Sequence, residues 1–221
     1  MKIKLFLLIF LILIIKIQLY SQNYNNNNNT KVDTLKIKNI SKKLKESYIL
    51  PSEVYEVYGT YEKVQFFEVF PDSFELFEQI YGYRPPIDTL NTLYYENTLY
   101  FESYNHLKLF CELRNVINKE DYYKKIIKLG IGGYWDADAI NYLQHCIYKC
   151  INENLPLTIK TLKSFTDDEI ESFWYFIYDG PLRTKNLPVN IEDIKIIDEH
   201  IADLAKKALE KAKKNNDNCG Y

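Results

Sequence analysis

Histidine and cysteine are both scarce in this chain, and each scarcity removes a class of function. The three histidines, His106, His145 and His200, stand far apart. Without an HExxH or comparable ligand spacing, no metal and no cofactor is expected. The four cysteines, Cys111, Cys146, Cys150 and Cys219, form neither a CxxC pair nor the dense pattern of a disulfide scaffold. Positive charge is not in excess either: 28 Lys and Arg stand against 30 Asp and Glu. A nucleic-acid partner, which shows as a basic field, is therefore not expected. The longest apolar run, Leu5 to Ile15, has 11 residues. A bilayer span needs about 20.

That short run reads as something else. Lys2 and Lys4 precede it, Lys16 interrupts it, and Ser21 offers a small residue for cleavage, although Leu19 fits the small-x-small rule poorly. This is the pattern of a secretory signal over residues 1–21, with an uncleaved anchor as the alternative. No cysteine follows for lipid attachment. Cleavage would leave a secreted or periplasmic chain with no stable membrane insertion. It would remove three lysines and no acids, leaving 25 basic and 30 acidic residues, net −5. The Asn25–Asn29 homopolymer cannot bury apolar surface, so residues 22–34 read as a disordered spacer. A single domain is expected over 35–215, long enough for a real core, and a flexible tail over 216–221.

Within that domain the punctuation is helical. A short helix is expected over Ile40–Tyr48, ended by Pro51. Val54 to Phe70 is rich in β-formers; a helix is expected to about Glu62, and a short non-helical element near residues 63–70. In PDSFELFEQIYG, Asp72 reads as N-cap with Glu75 three residues on, and Gly82 closes the helix. Leu99–Ile117 reads as a long helix with Phe101, Tyr104, Leu107, Phe110, Cys111 and Val116 on its apolar stripe, followed by a helix over Lys119–Leu129. Glu153–Pro156 breaks the chain before a short helix at Leu157–Lys163. Thr166 and Glu169 form a capping box, and Gly180-Pro181 stops that helix. Ile194, Ile197, Ile201, Leu204 and Ala208 make one stripe on a last helix from Ile191 to about Lys213. No alternating hairpin and no repeat is visible. The expected fold is all-α, an irregular multi-helix domain.

Three stretches carry the functional question. In GIGGYWDADAINYLQHC, Gly130, Gly132 and Gly133 follow a helix end, where glycine accepts a left-handed backbone. Asp136 then reads as the cap of the next helix and Asp138 as an acid in its first turn. An anion site here would lack the P-loop lysine and hydroxyl and would face two acids. Asp138, Asn141 and His145 share a polar face. Adjacent helix residues point about 100° apart, so His145 and Cys146 do not form a catalytic pair. Cys111, Cys146 and Cys150 lie among apolar residues. They read as free, buried thiols, with one bridge from Cys111 to Cys146 or Cys150 as the alternative. Finally, Phe173–Tyr178 places six large residues in a row. Ile170, Phe173, Trp174 and Ile177 are expected inside, and Tyr175, Tyr178 and Asp179 at a contact surface on the DGP corner. The 20 tyrosines follow an Asn-, Lys- and Ile-rich composition and are not in themselves a binding signature.

FPDSFELFEQIYGY, IGGYWDADAINYLQ and DDEIESFWYFIYDGP together resemble segments of small exported helical proteins of unknown function from Bacteroidota-type bacteria, over roughly residues 65–182. The resemblance implies a helical fold and a bacterial envelope address. It also implies an immunity or accessory role, with no site residue transferred. The functional expectation is a non-enzymatic domain that binds another protein. The alternative is an envelope hydrolase using Asp136, Asp138 or His145 with the Asp167-Asp168-Glu169 cluster.

Overall fold

The β-former-rich stretch before Pro71 sets the first question for the fold, because its residues could have built a strand. In the computed structural model they build helix α1, Thr60–Val69. The structure describes residues 39–40, 42–44, 60–82, 99–136, 138–181 and 186–218. The non-helical element expected near 63–70 is thereby corrected. The cause is aromatic packing: Phe66 and Phe70 are one turn apart and both buried. Phe70 stacks on Phe110 at 4.1 Å, Phe66 meets His106 edge-on at 5.6 Å, and Phe67 lies parallel to Phe110 and Tyr122 at 6.1 Å. A helix delivers all three rings to one neighbour, and that burial outweighs the weak β preference of the side chains.

Helix α2, Phe74–Tyr81, is capped one residue later than the sequence suggests. Ser73 rather than Asp72 accepts the Leu76 amide at 3.3 Å, and Gly82 ends the helix. A 3-10 turn at Tyr100–Glu102 leads into α3, Ser103–Glu112, and a second 3-10 turn follows at Leu113–Asn115. Asn118 caps α4, Lys119–Gly130, by accepting the Glu120 and Asp121 amides. Helix α5 is Ala139–Glu153. Asn154 then caps α6, Leu155–Leu162, with Pro156 in the first turn, where its missing N–H costs nothing. Helix α7, Asp167–Tyr178, opens with the full Thr166–Glu169 capping box. The expected last helix is divided at Asp198 into α8, Ile191–Ile197, and α9, Glu199–Asn218. Asp198 accepts the Ile201 amide and pairs with Lys163 at 2.7 Å, a second start signal inside the apolar stripe. Helix α9 continues to Asn218, into the 216–221 segment expected as a tail. No strand occurs among the described residues, and the all-α expectation holds. No helix among them is long and apolar enough to cross a membrane. The signal and spacer expected over residues 1–34 lie outside the described residues, as do residues 45–48 of the first expected helix.

Two arrangements position everything functional. The first is the burial of α7, which packs on α4, α5 and α9. Ile170, Phe173, Trp174, Phe176, Ile177 and Tyr178 are all buried. Helix α9 offers Ala202, Ala205, Ala208 and Ala212 at the core, and such small side chains admit close approach of large ones. Ile197, expected on that stripe, is instead exposed at the end of α8. The second arrangement is a parallel pair. Tyr100 touches Asp138, Tyr104 touches Tyr142, Cys111 is bonded to Cys146, and Arg114 pairs with Glu153 at 2.6 Å. Partners rise together along both segments, so α3 and α5 run side by side in one direction. Helix α4 is the return between them. The disulfide corrects the reading of three free thiols: among the described residues Cys150 alone is free, and burial pushes its thiol up to about 12.

Candidate functional site

The glycine-rich loop after α4 turns out to be a clasp. Gly132 adopts φ +76°, as expected of a glycine past a helix end, and its N–H donates to Ser172 Oγ at 2.8 Å. Gly130 and Gly133 serve another purpose. A Cβ on Gly130 would lie 2.8 Å from the Phe173 ring, and one on Gly133 would lie 2.7 Å from the Phe176 ring. Their bare backbone lets α7 press against the loop. The Trp135 ring then lies over Gly180, and the Trp135 backbone N–H donates to Asp179 Oδ2 at 2.7 Å. Gln144 Nε2 donates to the Phe176 and Asp179 carbonyls, and the Tyr148 hydroxyl to the Ile177 carbonyl. The last carbonyls of α7 are thus satisfied from α5.

This closure buries part of the surface expected at the DGP corner. Tyr178 is fully buried, not near the surface, and its ring lies parallel to that of Trp174 at 6.0 Å. Burial drives its hydroxyl well above the ordinary tyrosine value. Asp179 is engaged by Trp135. Tyr175 is half-buried under α9, where Asn215 donates to its hydroxyl at 2.8 Å and Lys211 lies 5.1 Å from its ring centre. Ile170, Phe173, Trp174 and Ile177 are inside, as the sequence pattern requires.

The carboxylate and histidine candidates serve separate elements. Asp138, not Asp136, stands at the start of α5, and its side chain caps nothing. Its backbone takes φ 56°, ψ −107°, a region that costs a residue with a Cβ of order 1–3 kcal/mol. Its carboxylate instead accepts the Tyr100 hydroxyl. Asp136 is half-buried in the loop, and His145 is exposed further along α5. Of the second cluster, Asp167 pairs with His200 at 2.9 Å and holds that imidazole above its ordinary value. Glu169 closes the capping box, and the Thr166 amide and hydroxyl hold its carboxyl low. Among the described residues, no three His, Cys, Asp or Glu side chains gather where they could hold a metal.

What the parallel pair does expose is aromatic. Phe101 is 87% exposed, Tyr104 55% and Tyr142 37%. Tyr100 and Tyr104 are one turn apart; so are Asp138 and Tyr142, joined by the Tyr142 amide donating to the Asp138 carbonyl at 3.0 Å. The two columns are bridged by the Tyr100–Asp138 bond and by the Tyr104–Tyr142 edge-to-face contact at 5.2 Å. Phe101 meets Tyr100 edge-on, also at 5.2 Å. No known protein family, curated protein or solved structure matches the chain. The site is therefore read from its own chemistry. Sequence reasoning placed Phe101 and Tyr104 on the buried stripe, and the structure corrects this. A signal was present: both fall at helical steps with Asn105, Lys108 and Glu112, all exposed, so they share the polar side of α3. The side that is buried carries His106, Leu107, Leu109, Phe110 and Cys111.

Proposed function

We propose that this protein is an exported, non-enzymatic helical domain that holds another protein against the α3/α5 face. The observation that supports this reading is the outward display of Phe101, Tyr104 and Tyr142 on two cross-linked helices. Large aromatic side chains grouped on a rigid, solvent-facing surface are what interfaces use as anchors. Rigidity matters because a surface already ordered loses little freedom on binding. The disulfide, the Arg114–Glu153 pair and the Tyr100–Asp138 bond all tie the two helices together. Export is consistent with the basic and apolar start of the chain and with a bonded cysteine pair. An immunity or accessory role would place the partner in the cell envelope.

The test is a comparison of the full chain with a Phe101→Ser, Tyr104→Gln, Tyr142→Gln variant, both cross-linked in their own cell envelope. We expect the variant to keep its circular dichroism spectrum and melting behaviour while its cross-linked partner disappears. An unchanged set of cross-linked proteins would reject the α3/α5 face as the contact surface.

A further inference from the structure

We infer that the α3/α5 face receives a basic segment of its partner, with a guanidinium seated on Tyr104 and Tyr142 beside the Asp138 carboxylate. This rests on the proposed protein-binding role and names the chemistry of that partner.

Three features of the face carry the inference. The first is ring geometry. Tyr104 and Tyr142 meet at 69°, so they form a corner rather than a flat platform. An edge-to-face pair that is solvent-exposed leaves an electron-rich ring face open, and such a face attracts cations. The same corner is poorly suited to a sugar ring, which stacks on a flat aromatic surface. The second feature is the carboxylate. Asp138 precedes Tyr142 by one turn, and its side chain is spent neither on capping α5 nor on a cation. It takes one hydrogen bond, from Tyr100, and an ionised carboxylate offers about four acceptor positions. A planar guanidinium can stack on an aromatic ring and donate to a carboxylate at once. The third feature is the distribution of charge. The exposed lysines of the pair, Lys108 and Lys149, lie a turn or more beyond the tyrosines, which leaves the Asp138 carboxylate as the charge nearest them on α5. A cation is therefore complemented at the tyrosine end by Asp138, within a chain of formal net charge −2.

The probe is a short arginine–glycine peptide, compared with its citrulline counterpart, which has nearly the same shape and no charge. Both are titrated into the isotope-labelled full-length mature protein and followed by amide chemical shifts. We expect saturable shifts at Tyr100, Tyr104, Asp138 and Tyr142 with the arginine peptide only. Asp138→Asn keeps an acceptor for Tyr100 but removes the charge, and should weaken binding about tenfold. Tyr104→Gln, at an exposed position, should weaken it independently of any effect on folding. An equal response to citrulline would overturn the inference. So would equal shifts around Asp167–Glu169 on α7, which would mean diffuse charge attraction, or a stronger response to a chitin oligosaccharide. Loss of peptide binding with envelope cross-linking still dependent on Phe101, Tyr104 and Tyr142 would reject the basic-segment inference alone. Cross-linking independent of those residues would reject the protein-binding role itself.

Discussion

Two aromatic regions of this molecule have opposite fates. Phe173–Tyr178 is the densest aromatic tract in the chain, and all of it except half-buried Tyr175 is buried. Phe101, Tyr104 and Tyr142 are scattered over 42 positions of sequence, and they come together in solvent on the α3/α5 pair. The difference lies in how many sides of each helix are covered. Helix α7 is contacted by α4, α5 and α9, and a helix enclosed this way must be apolar nearly all round. Helix α3 has α5 beside it and α1 rings at its back, which leaves one strip for water. A run of large residues thus reports enclosure, while a lone aromatic among Asn and Lys reports display.

The contrast is open to direct attack. The largest effect should come from Trp174→Ala, which leaves a cavity in a fully buried site and should lower the unfolding free energy by about 3–5 kcal/mol. Phe101→Ala, at a ring 87% exposed, should change it by no more than about 0.5 kcal/mol. Urea denaturation of both variants decides the matter, and similar losses would erase the distinction between the two regions. Next in size is Gly133→Ala. Its methyl would be driven to 2.7 Å from the Phe176 ring, and overpacking of this kind costs about 1–3 kcal/mol. If the variant melts like the parent, the loop does not clasp α7 as closely as described. The smallest is Thr166→Ala, which removes the capping acceptor at the start of α7 and should cost about 1 kcal/mol. Combined with Tyr104→Gln, the two changes should add, since they act on different helices. A non-additive double variant would show that the buried and displayed regions are coupled.

Local signals were the most legible part of the sequence. The Thr166 box, the α4 boundaries and the apolar setting of Cys146 and Cys150 on α5 all follow from residue type and spacing. What failed did so for tertiary reasons. Nothing near Val64 or Phe67 says that Phe110 and Tyr122 wait across the core, so β propensity misled. Nothing near Tyr178 says that its helix end is sealed by Gln144, Tyr148 and Trp135 from elsewhere in the chain. The glycines were recognised as a helix stop, yet two of the three are there for the rings of α7. Of the candidate residues, Asp138 has a contact the sequence conceals: its partner, Tyr100, is 38 residues away.

The Cys111–Cys146 bond also bears on when the molecule acquires its stability. It closes a sequence separation of 35 around the whole of α4, and by the loop-entropy argument this takes about 4 kcal/mol of freedom from the unfolded chain at 25 °C. Domains of this size have only about 5–15 kcal/mol in total. A reduced chain would therefore be a much looser one. If the protein is exported as proposed, the thiols stay reduced on the near side of the membrane. A chain that must be threaded through a channel benefits from remaining easy to unravel there. Oxidation on the far side would then act as a ratchet, fixing the helix pair only after the journey is complete.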